Sequence, residues 1–415
     1  MAVGASGNSS MKIGNFWILK PYDAFGNRAE DIYYGVMKCR RDGLRLVILK
    51  RKWNLAGKVA FRAANMALLD IRHPLVVSNV ATAFLNVLLS LGWSACRVAG
   101  IAWRKLQMLM GYDGRQNFLV RWSEMEIGRS GLWGPAEPPF LGARQCIDWG
   151  NEHRERLGLR FGPRSRLECD FPELAGKPYV CLHVRTGGFF NDHNYSAPRN
   201  ASIENYLPAI DELVARGYAV VRIGDPAMPS LQRNGVLDYA HHARRSQAND
   251  ILLVEHCDAY IGSLTGPIDL ACLFEKRIFT VNALSLSHCT WYRQGSLFIP
   301  KRAKLDGRTL TLKEQIDLHL FEIMGTGRMD PQVEYVENSA EEILAALCEF
   351  LQAPALTISQ QSFNVYLKQA LTEYFETTPL WDTPHADTEQ KVRWLARQPT
   401  VDGGIAQCWL AANWE

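Results

Sequence analysis

The ten cysteines of this chain include no CxxC pair; they are scattered singly from Cys39 to Cys408. That spacing argues against a zinc cage or a compact disulfide framework and fits a reducing compartment. Net charge is also scarce, because 46 Lys and Arg stand against 43 Asp and Glu, a formal +3. A general nucleic-acid footprint is therefore not expected, and any basic action is local. The opening MAVGASGNSS is small and polar with no apolar run behind it. No cleaved signal peptide is expected, and residues 1–12 read as a disordered leader.

What the chain does have is the composition of a globular protein, 47% hydrophobic and 21% charged over 415 residues. At roughly 150 residues per domain, that length suggests two large units. One segment stands out: residues 74–96, PLVVSNVATAFLNVLLSLGWSAC, carry no formal charge, close to the ~20 residues needed to cross a bilayer. A helix would place Val77, Phe84, Leu88 and Leu91 opposite a stripe of Ser78, Asn79, Thr82, Asn86 and Ser90. Lys50, Arg51, Lys52, Lys58, Arg62 and Arg72 precede it, and Arg97, Arg104 and Lys105 follow, with Trp93 and Trp103 near one end. Three readings stay open: in-plane docking on an anionic membrane surface, a buried helix, and a full span.

Residues 13–165 read as an N-terminal α/β domain. Strand Phe16–Leu19 leads into the loop Lys20–Arg28, a helix over 29–39 and a second strand over 44–49. Such a βαβ unit turns Asp23, Gly26, Asn27 and Arg28 toward a ligand-facing edge, either as acceptor contacts or as plain turn formers. The stretch from Gly150 to Lys177, punctuated by Arg154, Arg156, Arg160, Arg164 and Arg166, reads as the linker between domains.

The second domain, residues 166–352, has the clearer pattern. The buried strand Tyr179–Val184 ends in His183-Val184-Arg185-Thr186-Gly187-Gly188, and a guanidinium at such a strand end is suited to a phosphate. A helix near 203–215 and the strand Tyr218–Ile223 follow, closed by Gly224-Asp225-Pro226. A further strand, 259–262, runs into Ser263-Leu264-Thr265-Gly266-Pro267, where proline suits the first turn of a helix. The groups ahead of that helix form a second phosphate cradle. Asp192 and His193, in the loop after Arg185, are candidates to take a proton from an acceptor hydroxyl, or else form a polar turn. Arg199 is a second phosphate contact or a partner for Glu204. His241, His242 and His256 lack ligand spacing for a metal, and Lys301, Arg302, Lys304 and Arg308 read as a solvated basic face. Residues 353–415, with Trp381, Trp394, Trp409 and Trp414, read as an extension that packs back on the body or offers a partner surface.

The segments HVRTGGFFNDH, RNASIENYLPAIDELVARGYAVVRIGDP and IGSLTGPIDLACLFEKR, in that order, resemble bacterial glycosyltransferases of the fucosyltransferase-like group. The similarity covers about residues 178–352, and GYDGRQNFLVRWSEMEIGRSGLWGP is also similar to their N-terminal half. The resemblance implies a GT-B fold, two Rossmann-type domains facing a central cleft. It also implies a nucleotide-sugar-dependent transferase of surface polysaccharide or glycolipid synthesis; the cysteine pattern adds a cytoplasmic location, peripheral on the inner face of the cytoplasmic membrane if residues 74–96 dock there. By it, His183, Arg185, Gly187, Gly188, Ser263, Thr265 and Gly266 would hold the donor diphosphate, with Gly224 and Asp225 beside the base or ribose. No metal or other cofactor is expected in that chemistry. Where better-known fucosyltransferases continue with Arg-Gly-Asp, this chain has Thr186-Gly187-Gly188, which leaves a GDP-, UDP- or CMP-linked donor open. A silent subunit of an assembly complex, or an epimerase or hydrolase on the same frame, are the competing readings.

Overall fold

The computed structural model describes residues 9–20, 25–48, 66–77, 84, 88, 106, 109–110, 156–187, 197–284, 286, 295–320, 332–352, 355–377 and 403–415. The chain divides into two compact units, one of Met1–Cys146 with Leu157–Phe161, the other of Ile147–Arg156 with Gly162–Glu415.

In the first unit, β1 (Ser9–Ile13) and β2 (Phe16–Lys20) form an antiparallel hairpin, and β3 (Arg45–Ile48) lies parallel to β2 after the helix α1 (Phe25–Asp42). The β2–α1–β3 unit is the expected crossover, but its loop is shorter than the sequence suggests. Gly26, Asn27 and Arg28 lie in the first turns of α1, not in a loop. The reason is apolar periodicity: Phe25, Ala29, Ile32 and Val36 fall on one face, so the helix extends back past a glycine and an asparagine that looked like turn formers. Arg28 is buried there, its guanidinium 3.9 Å from Met66 Sδ, and Asp23 lies outside the described residues.

Much of segment 74–96 also lies outside the described residues. Two helical positions one turn apart are described within it, Phe84 and Leu88, and both side chains are exposed. Among the described residues no helix is long and apolar enough to cross a membrane.

The second unit is built on one parallel sheet. Its elements in chain order are α2 (Arg164–Asp170), β4 (Tyr179–His183), α3 (Leu207–Ala215), β5 (Ala219–Arg222), β6 (Val236–Leu237), α4 (Gln247–His256), β7 (Ala259–Gly262), α5 (Gly266–Leu273), β8 (Arg277–Ala283) and β9 (Leu297–Pro300). Then come β10 (Arg302–Leu305), β11 (Arg308–Thr309), α6 (Leu312–Asp317), β12 (Val333–Val336), α7 (Ala340–Gln352), α8 (Ile358–Thr377), β13 (Gly404–Ile405) and α9 (Gln407–Asn413). The helix α2 occupies part of the stretch read as a linker, held by Arg164 on Glu168 at 2.9 Å and on the Lys177 carbonyl at 2.6 Å.

The sheet runs β13-β9-β8-β7-β4-β5-β6, with every neighbouring pair parallel. Renumbered from β4, the order is 3-2-1-4-5-6 with β13 added at one edge, the doubly wound order of dinucleotide-type folds. Strands covered on both faces need unbroken apolar runs, and all five residues of β4 and all four of β7 are buried. Helix starts are written locally. Ser246 accepts from Asn249 at 3.2 Å at the head of α4, and Ser339 and Glu342 bond each other's backbone N–H before α7 at 2.8 and 3.2 Å. The strands β10, β11 and β12 form a separate small antiparallel sheet.

Residues 403–415 belong to this unit's body. Gly404 and Ala406 donate to the Ser296 and Phe298 carbonyls at 3.1 and 3.0 Å, which sets β13 against β9. The Glu349 carboxylate accepts the first amides of α9, Gln407 at 2.8 Å and Cys408 at 3.0 Å, as a negative charge at a helix N-terminus should. Trp409 is buried, and Trp414 meets Phe363 and Tyr366 edge-on.

Candidate functional site

In an open parallel sheet the ligand edge is the carboxyl end of the strands where their order reverses, here between β4 and β7. At that point His183 and Gly262 are register partners. The strands approach so closely that a Cβ on Gly262 would stand 2.3 Å from the His183 carbonyl oxygen, so glycine is required for packing. The β5 end joins the same edge: Gly224, at φ +151, would put a Cβ 2.6 Å from Met228 Sδ and 3.6 Å from the His183 ring. Asp225 beside it is half-buried, and its Oδ1 accepts the Ala227 amide at 2.7 Å, which fixes the turn.

The two predicted strand-end loops do meet, through one backbone and one side-chain contact. The Arg185 amide donates to Ser263 Oγ at 3.3 Å, and Thr265 Oγ1 lies 3.1 Å from His183 Nδ1. Thr265 precedes α5 without a side-chain bond to it, and the first turn contains Gly266 and Pro267, so the N-terminus of that helix faces the same edge. Asp269, also in the first turn, already supplies one negative charge to that end.

The electrostatics are those of buried cations around a neutral imidazole. His183 is pushed down to about 4 from its usual 6.5, first by burial and then by the positive charges of Arg185 and Arg222. At neutral pH it therefore offers hydrogen bonds and no charge. Arg185 is 6% exposed and donates to Asn200 Oδ1, while its carbonyl accepts the Ala201 amide at 3.0 Å. Arg222 is held differently, on the Pro229 carbonyl at 2.6 Å and in an ion pair with Asp238 at 3.3 Å, so it braces the β5–β6 connection.

One reading of the basic cluster needs correction. Arg302 pairs with Glu342, Lys304 with Glu334 and Arg308 with Glu314, as surface charges do, but Lys301 is 3% exposed. Its ammonium donates to the Asn200 carbonyl at 2.8 Å. Lys301 directly follows β9, so it enters the carboxyl edge of the sheet instead of the solvated ribbon beyond it. Sequence reasoning missed both Lys301 and Asn200. The only available signal was position at a strand end, since a lysine in a basic run gives no sign of burial.

Gly187 is described but Gly188, Asp192 and His193 lie outside the described residues. Arg199 closes the short 3-10 turn Ala197–Arg199, next to Asn200. His241 Nε2 binds the Met228 carbonyl at 2.8 Å, His256 Nε2 binds the Gly162 carbonyl at 2.9 Å, and His242 accepts the Arg244 amide at 3.1 Å. Among the described residues no cluster of His, Cys, Asp and Glu could hold a metal ion. Chemically, the edge offers a buried guanidinium, two hydroxyls and a helix N-terminus, a set suited to an anion with several oxygens. No protein-family model, curated protein or solved structure matches this chain.

Proposed function

We propose that the protein is a glycosyltransferase that moves a sugar from a nucleotide-sugar donor to a glycan or lipid-linked acceptor, as in surface polysaccharide synthesis. The observation that carries this reading is the meeting of Arg185, Ser263 and the Thr265–Gly266 helix start at the switch point of the sheet. In such a transfer the bond from the sugar's anomeric carbon to the diphosphate breaks, and the leaving oxygen takes the electron pair. Arg185 would neutralise that charge from a buried position, where a charge-assisted bond is strongest and needs no reorganisation. His183, being neutral, would orient phosphate through a hydrogen bond. The acceptor hydroxyl would give its proton to Asp192, or to His193, a few residues after Arg185 in the chain. The resemblance of HVRTGGFFNDH and the segments after it supports the same reading.

The test is thermal unfolding with GDP, UDP, CMP and their sugars, on wild type and Arg185→Ala. A ligand at a hundred times its Kd stabilises by about 2.7 kcal/mol, roughly 5–10 °C for a unit of this size. One nucleotide class should raise the wild-type midpoint and lose that effect in Arg185→Ala. Equal shifts in both proteins, or none with any nucleotide, would overturn the proposal.

A further inference from the structure

Three consecutive residues, Asn200, Ala201 and Ser202, are tied to three different strand ends. Just past β4, the Arg185 carbonyl accepts the Ala201 amide at 3.0 Å, and the Arg185 guanidinium donates to Asn200 Oδ1. Just past β9, the Lys301 ammonium donates to the Asn200 carbonyl at 2.8 Å. Just past β12, Glu337 Oε2 accepts the Ser202 amide at 2.8 Å and the Asn205 side-chain amide at 3.3 Å. Both grips are themselves anchored. The Lys301 amide donates to the Ala283 carbonyl at 3.0 Å, and the Pro300 carbonyl before it accepts Asn338 Nδ2 at 2.8 Å. At the other end, Ser202 Oγ accepts the Glu204 amide at 3.3 Å and so starts the short helical turn Ile203–Tyr206.

Lysine costs more than this bond requires. Lys301 is 3% exposed, and burying an ammonium to meet a neutral carbonyl is unfavourable, whereas an apolar side chain of similar length is not. Glu337 offsets part of that cost by acting on the ammonium electrostatically. From this geometry we infer that Lys301 and Glu337 are positioning residues, which clamp Asn200–Ser202 from both ends so that Asn200 Oδ1 holds the Arg185 guanidinium in one orientation at the carboxyl edge of the sheet. Both act through Asn200 and not by contact with a ligand. That the guanidinium is held ready for a diphosphate rests on the nucleotide reading above. A long side chain ordered beforehand does not lose its rotamer freedom on binding, and small misplacements of such groups are costly.

The experiment follows the Arg185 guanidinium resonance in the full chain grown with isotope-labelled arginine, identified by its absence in Arg185→Ala. Pyrophosphate and the nucleotides are titrated by calorimetry into the same proteins. Lys301→Met and Asn200→Ala should each move or broaden the resonance, while Lys301→Arg, which keeps donor and charge, should restore it. Each of the first two should also weaken binding about 10-fold, the worth of a hydrogen bond to a charged group. In the Asn200→Ala background Lys301→Met should weaken binding no further, because the link to Arg185 is already cut. A lysine that serves only the fold would instead lower the thermal midpoint and add its effect in both backgrounds. Should Lys301→Met fail to fold, Glu337→Ala, which releases the other grip, carries the same test. An Arg185 resonance unmoved by these substitutions, or additive losses of affinity, would overturn the clamp. If neither pyrophosphate nor any nucleotide binds the wild type, the nucleotide reading falls, and the resonance alone decides whether Arg185 is held in this way.

Discussion

Lowering the pH should destabilise the second unit through His183 by an amount the structure sets. The unfolded ring, at its ordinary 6.5, takes up a proton that the folded ring refuses until about pH 4. Between those values the unfolded chain binds more protons, so stability falls as pH falls, and the contribution is complete only above pH 6.5. At pH 4.5 the loss relative to pH 7.5 is about 2–3 kcal/mol from this one group, at about 1.4 kcal/mol per pKa unit. For a unit of this size that is a fall of roughly 5–10 °C in midpoint. Other groups titrate over the same range, so the assay is a difference of differences: scanning calorimetry of wild type and His183→Gln at both pH values. Glutamine can still bond Thr265 but does not titrate. Wild type should lose about 2–3 kcal/mol more than the variant on acidification. Equal losses would refute the view that His183 is kept neutral by burial and by two neighbouring guanidinium groups.

Two further substitutions test the packing that positions the site. Gly262→Ala would press a Cβ to 2.3 Å from the His183 carbonyl, a backbone atom that cannot rotate away. The strands β4 and β7 must part, and we expect about 1–3 kcal/mol or more of destabilisation by thermal unfolding; a neutral result would mean that the two strand ends are not in contact. Trp409→Ala should cost about 3–5 kcal/mol, because the indole is 2% exposed and α9 packs against α7 and α8. Trp409→Phe should recover most of that loss, since the indole Nε1 has no hydrogen-bond partner among the described residues; an alanine variant as stable as wild type would show that the 403–415 segment is not part of the folded body.

Much of the architecture was readable from local pattern. The runs that became β4, β5, β7 and β8 are short, apolar and separated by helical spacing, which identifies strands buried on both faces of a parallel sheet. His183, Arg185, Ser263 and Thr265 stood out because each follows such a run, and in this architecture the residue after a buried strand stands at the ligand edge. The sequence by itself thus determined the α/β class and the composition of the switch-point loops, properties fixed by neighbours a few residues apart. Long-range contact decided the rest. The strands β6 and β13 are two residues each, too short to show alternation, and exist only because β5 and β9 offer unpaired edges. Asn282 and Asn338, 56 residues apart, satisfy each other's backbone amides at 2.9 and 2.7 Å and end β8, a match no local window contains. Lys301 belongs to the same class. Its charge is written in the chain, but whether a charge is solvated or buried depends on what is folded over it, and only the tertiary structure buried Lys301 and placed the Asn200 carbonyl against it.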